Sequence, residues 1–108
     1  MDADDYQREA MRTASPDQAF RERLLVAALG LAGESGEFVD AIKKWAFHAH
    51  PLDADELRKE LGDVLWYVAL ACDALDLRLG DVMAANIEKL RRRYPEGFSG
   101  ERSLHREE

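Results

Sequence analysis

Apolar residues recur along most of the chain at helical spacing. Phe20, Leu24, Ala28, Leu31, Phe38 and Ile42 follow one 3.6-residue period, and Leu57, Leu61, Val64, Leu65, Val68 and Ala71 follow another. Strand signals are nearly absent: there are few β-branched runs, no period-two alternation and no Asn-Gly or Asp-Gly hairpin turn. The pattern predicts four helices. The first covers about residues 4–13, with acidic residues in its first turn, where they favour the helix dipole. Ser15-Pro16-Asp17 breaks and restarts the chain, with Ser15 the N-cap candidate and Pro16 the first helical residue of the second helix. That helix reaches Trp45 or His48, and Pro51 then enforces a loop by disfavouring α geometry at His50. Asp53 or Asp55 caps the third helix, which runs to about Leu75. A turn over 77–80 leads to a fourth helix over about 81–93, whose last two turns carry Lys89, Arg91, Arg92 and Arg93 and which stops before Pro95. Residues 96–108 have few apolar positions and read as a loose tail.

Four helices joined by short connections imply an all-α, four-helix-bundle-like fold. The second and third are apolar on more than one side, which one short bundle cannot cover, so oligomer formation is expected. The 108 residues fit one domain. No Ser/Gly linker or internal repeat divides them. The formal net charge of −7 and pI near 4.9 argue against a nucleic-acid polymer as partner, which needs a broad basic surface. The lone Cys72 excludes a disulfide framework or a cysteine zinc site within one chain and reads as a small core residue. The longest strongly apolar stretch, residues 24–33, is too short to span a bilayer, and the acidic start of the chain is the reverse of a secretory signal. The expectation is a cytoplasmic protein with no membrane partner.

Against that background four carboxylates stand out. Glu34 and Glu37 follow directly on the apolar run of the second helix, and Asp63 is the only carboxylate between Glu60 and Asp73 in the third. Glu34 and Glu37 are i, i+3, as are Glu60 and Asp63, so each pair shares a helix face one turn apart. Antiparallel packing would aim all four into one space. An oxygen-only ligand set suits Mg²⁺ or Mn²⁺, and no Glu-x-x-His is present to support a di-iron carboxylate bundle. The simpler reading is that these acids are solvated or paired with Lys43, Lys44, Arg58 or Lys59. Gly30, Gly33, Gly36 and Gly62 lie beside them inside helical patterns, consistent with close backbone approach of helix to helix or helix to ligand.

Glu34-Ser35-Gly36-Glu37, followed after 22 residues by Glu60-Leu61-Gly62-Asp63, resembles the E-x-x-E…E-x-x-D signature of the MazG-like nucleotide pyrophosphohydrolases of the all-α NTP pyrophosphatase superfamily. GLAGESGEFVDAIKK, ELRKELGDVLWYVALACDALDL and NIEKLRRRYPEGF extend the likeness over about residues 6–99. The expected domain is therefore 1–99, with a polar tail over 100–108. The resemblance implies an all-α fold, a homodimer or dimer of dimers, and Mg²⁺-dependent cleavage of an NTP or dNTP to the monophosphate and pyrophosphate. It implies Glu34, Glu37, Glu60 and Asp63 as metal ligands. For a triphosphate held there, Lys43, Lys44, Lys89 and Arg93 are candidate phosphate clamps, and Trp45, Phe47 and a face carrying Gln7, Arg12 and Thr13 are candidates for contact with a base. By its chemistry, whichever carboxylate of Glu34 or Glu37 is not fully engaged in ligation can take the water's proton. Asn86, Lys89 and Arg93, at i, i+3, i+7, match positions used near the nucleotide, and Tyr67 matches a position near the phosphates. Some members carry a further Glu directly before the first motif Glu. This chain has Gly33 there, so a general-base role for that position does not carry over. The substrates expected are non-canonical or excess nucleotides. The alternatives are phosphoribosyl-ATP, a dCTP/dUTP-restricted activity, or a helical interaction module without catalysis.

Overall fold

The computed structural model describes residues 1–105, all helix and connection apart from one isolated bridge between Pro95 and Gly97. Its helices are α1 (Ala3–Met11), α2 (Phe20–Phe47), α3 (Ala54–Ala74), α4 (Leu79–Arg93) and a short α5 (Gly100–Leu104). The all-α expectation holds. The frame is an antiparallel hairpin of α2 and α3, the most extensive helix pair; α1 packs on α3, and α4 packs on α1.

Local chemistry sets several of the ends. Asp2 and Asp5 form a reciprocal capping box at the start of α1. Asp53 caps α3, its Oδ1 accepting from the N–H groups of Asp55 (3.1 Å) and Glu56 (3.3 Å). The α2/α3 loop contains Ala49 at a φ of 57°, a left-handed conformation that turns the chain before Pro51.

Three sequence expectations are corrected. Helix α2 starts at Phe20, with Ala19 at its N-cap and no side-chain cap, so Ser15 and Pro16 do not begin it. The Trp66 indole N–H explains the delay: it donates to Thr13 Oγ1 (2.8 Å) and to the Ala10 carbonyl (3.2 Å), holding the chain after α1 in turns against α3. Helix α4 begins at Leu79 rather than Asp81 because α1 caps it from a distance. The Gln7 Oε1 accepts from Leu79 N–H (2.7 Å), and Asp4 Oδ1 accepts from Gly80 N–H (2.9 Å). Finally, the tail is not wholly loose: Ser99 caps α5, its hydroxyl accepting from Arg102 N–H. Residues 106–108 of that tail lie outside the described residues.

The core is thin. Its buried apolar residues are Ala10, Ala27, Ala69, Leu70, Cys72, Ala74 and Leu79, and among the described residues Leu70 is the one large side chain fully enclosed. Leu29 is 71% exposed and Val39, Leu61, Leu65, Met83 and Ile87 all face outward. The radius of gyration, 16.9 Å, exceeds the roughly 13 Å of a compact domain of this length. The buried Gln7 therefore matters. Its Nε2 also donates to the Leu77 carbonyl (2.9 Å), so one amide satisfies both sides of the α3–α4 turn. Gln7→Ala is expected to strand the buried Leu79 N–H and lower unfolding free energy by about 2 kcal/mol. Urea titration followed by circular dichroism measures this directly, and a midpoint equal to that of the wild type would refute it.

Candidate metal centre

The α2/α3 register builds the site. At the far end of the hairpin Arg23 pairs with Asp73. A turn or two along, Gly30 lies under the Tyr67 ring. Closer to the loop, Glu34, Glu37 and Glu60 converge, each offering an oxygen within 4.8 Å of the others. The i, i+3 spacing of Glu34 and Glu37 keeps both on the face that meets α3.

As carboxylates, Glu34 and Glu60 each bury one oxygen, Oε2, that has no hydrogen-bond donor. Leaving such an atom dry and unpaired is unfavourable, and either a proton or a cation relieves it. A hydrogen bond shared with Glu34 raises the Glu60 carboxyl above the usual glutamate range; burial and the charges of Glu34 and Asp63 add to this, while contact with Glu37 opposes it. Three carboxylate oxygens at this spacing fit a hard divalent cation.

Asp63 is exposed and stands outside that trio, on the next turn of α3. With Glu34, Trp66 and Tyr67 it lines an open cleft of about 340 Å³. Its charge reaches Tyr6 on α1, whose phenol is raised first by burial and then by Asp63. On the loop side of the trio a second cleft of about 550 Å³ brings Glu37 and Glu60 together with Lys44, His50 and Asp53.

The basic and aromatic candidates are placed less tightly. Lys44 reaches the rim of the larger cleft but pairs with Asp40 (2.9 Å), as Lys43 does (3.4 Å). Trp45 is half exposed and lines neither cleft. Asn86, Lys89 and Arg93 ride on α4, whose main packing is against α1, and they line neither cleft. Gln7 and Thr13 are committed to protein partners rather than presented to a ligand. Sequence reading missed Trp66 as a wall of the smaller cleft and Asp40 as the partner of both lysines. Asp40 was findable, since it precedes Lys43 and Lys44 at i+3 and i+4.

The model of the MazG nucleotide pyrophosphohydrolase domain matches residues 23–98, which contain every carboxylate of the site. The chain belongs to this family. It is also 36% identical over 105 residues to the gene 37 protein of Mycobacterium phage L5, covering 90% of this chain and 92% of that protein. No solved structure matches the chain significantly. Among the described residues no helix is long and apolar enough to cross a membrane.

The raised Glu60 carboxyl links the site to stability. The folded chain holds this proton to higher pH than the unfolded chain does. Its contribution therefore favours the fold at low pH and is lost as pH rises through the raised folded value. Glu60→Gln, which keeps the shape and removes the charge, is expected to raise the Tm of the metal-free protein at pH 7. The same change should abolish the stabilisation by Mn²⁺ seen in a thermal melt, and a variant still stabilised as strongly as the wild type would contradict this placement of the cation.

Proposed function

We propose that this chain hydrolyses nucleoside triphosphates, ribo or deoxy, to the monophosphate and pyrophosphate, clearing non-canonical or excess nucleotides. The observation that carries the reading is the pair of buried, donorless oxygens of Glu34 and Glu60 beside Glu37. Glu34, Glu37 and Glu60 hold Mg²⁺, with Asp63 supplying a further oxygen from the adjoining cleft. When bound, the cation screens phosphate charge and makes water a better nucleophile.

The chain's own residues do the rest. Water adds across the α–β anhydride, and the bridging oxygen departs with the pyrophosphate. Whichever of Glu34 and Glu37 is less engaged with the cation accepts the water's proton. Tyr67 walls the cleft beside Glu34 and Asp63, and Lys44 stands at the other rim beside Asp40. Lys43 and Trp45 flank that rim on α2.

A homodimer, or a dimer of dimers, completes this arrangement. Leu61 and Leu65 lie exposed beside the acids of α3, and α4 exposes Val82, Met83, Ile87 and Leu90. A second copy laid on these faces buries both, and brings the nucleotide-contacting candidates Asn86, Lys89 and Arg93 of one α4 to the acids of the other chain. Such a chain works in the cytoplasm, where nucleotide and Mg²⁺ are plentiful.

A panel of NTPs and dNTPs assayed with Mg²⁺ tests the reaction. The expected products are monophosphate and pyrophosphate; diphosphate with orthophosphate would overturn the chemistry. Asp63→Asn should lower kcat/KM at least ten-fold, about 1.4 kcal/mol of barrier, with helical content unchanged. Light scattering should give a mass of at least two chains, and a fully active monomer would remove the dimer from this account.

A further inference from the structure

Gly30 is the one glycine in α2 that a side chain would fill at once. A Cβ built there meets the Tyr67 ring at 2.1 Å from Cε1 and 2.4 Å from both Cδ1 and Cζ, distances that no real contact reaches. Gly33 and Gly36, on the same helix, have nothing within 4 Å of such an atom. Tyr67 therefore lies in a notch cut by Gly30. The ring also meets Trp66 edge-on, with centroids 5.1 Å apart and planes at 85°. Trp66 is in turn fixed by its indole N–H to Thr13 Oγ1 and the Ala10 carbonyl. The two rings form the aromatic side of the cleft whose acidic side is Glu34 and Asp63.

We propose that Gly30 is a positioning residue: its bare Cα seats Tyr67 and so keeps the cleft beside Glu34 and Asp63 open for substrate. The role builds on the nucleotide reading above but acts through geometry alone. With a methyl group at position 30 the ring must leave its notch. Tyr67 already lines the open cleft beside Glu34 and Asp63, and that cleft is free space the displaced ring can enter. There the ring occupies room that the substrate needs, while the trio of Glu34, Glu37 and Glu60 one turn away keeps its register.

The test compares Gly30→Ala, Tyr67→Ala and the double variant. Gly30→Ala should raise KM for the preferred triphosphate ten-fold or more while changing Mn²⁺ Kd less than three-fold. In the Tyr67→Ala background the same substitution should change KM less than two-fold, because the ring it displaces is gone. Gly30→Ala with wild-type KM, an equal loss in both backgrounds, or loss of Mn²⁺ binding through parting of the helices would each overturn the proposal. If Gly30→Ala does not fold, the double variant should, and its failure to do so would count against Tyr67 as the clashing group. A readout free of turnover separates this idea from the nucleotide reading. In a Trp45→Phe background, Trp66 emission should move to longer wavelength in Gly30→Ala. That shift in a protein that cleaves no nucleotide would uphold the seat while removing the pyrophosphohydrolase reading, and unchanged emission would refute the seat.

Discussion

The close antiparallel approach of α2 and α3 governs the rest of the molecule. Arg23 with Asp73, Gly30 with Tyr67 and Glu37 with Glu60 mark successive rungs of one register. Ala27 and Ala69, both almost fully buried, provide the small side chains that such an approach needs. A slip of one residue would turn the face of either helix by about 100° and carry one acid pair away from the other. The loop at 48–53, with Ala49 in a left-handed conformation and Asp53 capping α3, closes the hairpin where that register requires.

That approach imposes electrostatic strain. It crowds like charges and strips water from two carboxylate oxygens, which works against the fold until a proton or a cation arrives. Little in the interior offsets the strain, because among the described residues Leu70 is the only large side chain fully enclosed. The three residues that offer oxygens to a cation are the ones that carry this cost. Asp63, exposed on the next turn, shares less of that strain and faces the aromatic cleft instead.

Much of this was visible in the chain itself. The helical periods, the Asp53 cap and the i, i+3 pair of Glu34 and Glu37 all depend on neighbours close in sequence, and the structure has them, with Glu60 beside the pair; Asp63, expected to join them, stands outside the trio. The starts of α2 and α4 were not visible, because each is set by a partner far along the chain. Trp66 holds the turn at Thr13, and Gln7 with Asp4 caps α4 across more than seventy residues. A Ser-Pro-Asp signal is worth only a local preference, and the Trp66 indole hydrogen bonds to Thr13 and Ala10 outweighed it. Gly30 was noted only as one of four helical glycines; which of them touches a ring depends on the register, which sequence spacing does not specify.

Helix α1 is attached in an unusual way for so small a protein. Only Gln7 and Ala10 of its residues are buried, and its ties are hydrogen bonds from Asp4, Gln7 and the Ala10 carbonyl to α3, α4 and the turn between them. An element tied in this way can open locally, below the free energy of global unfolding. Because Trp66 hangs from it, each opening would also loosen one wall of the cleft. Opening of the first helix would thereby be felt in a cleft built by α2 and α3.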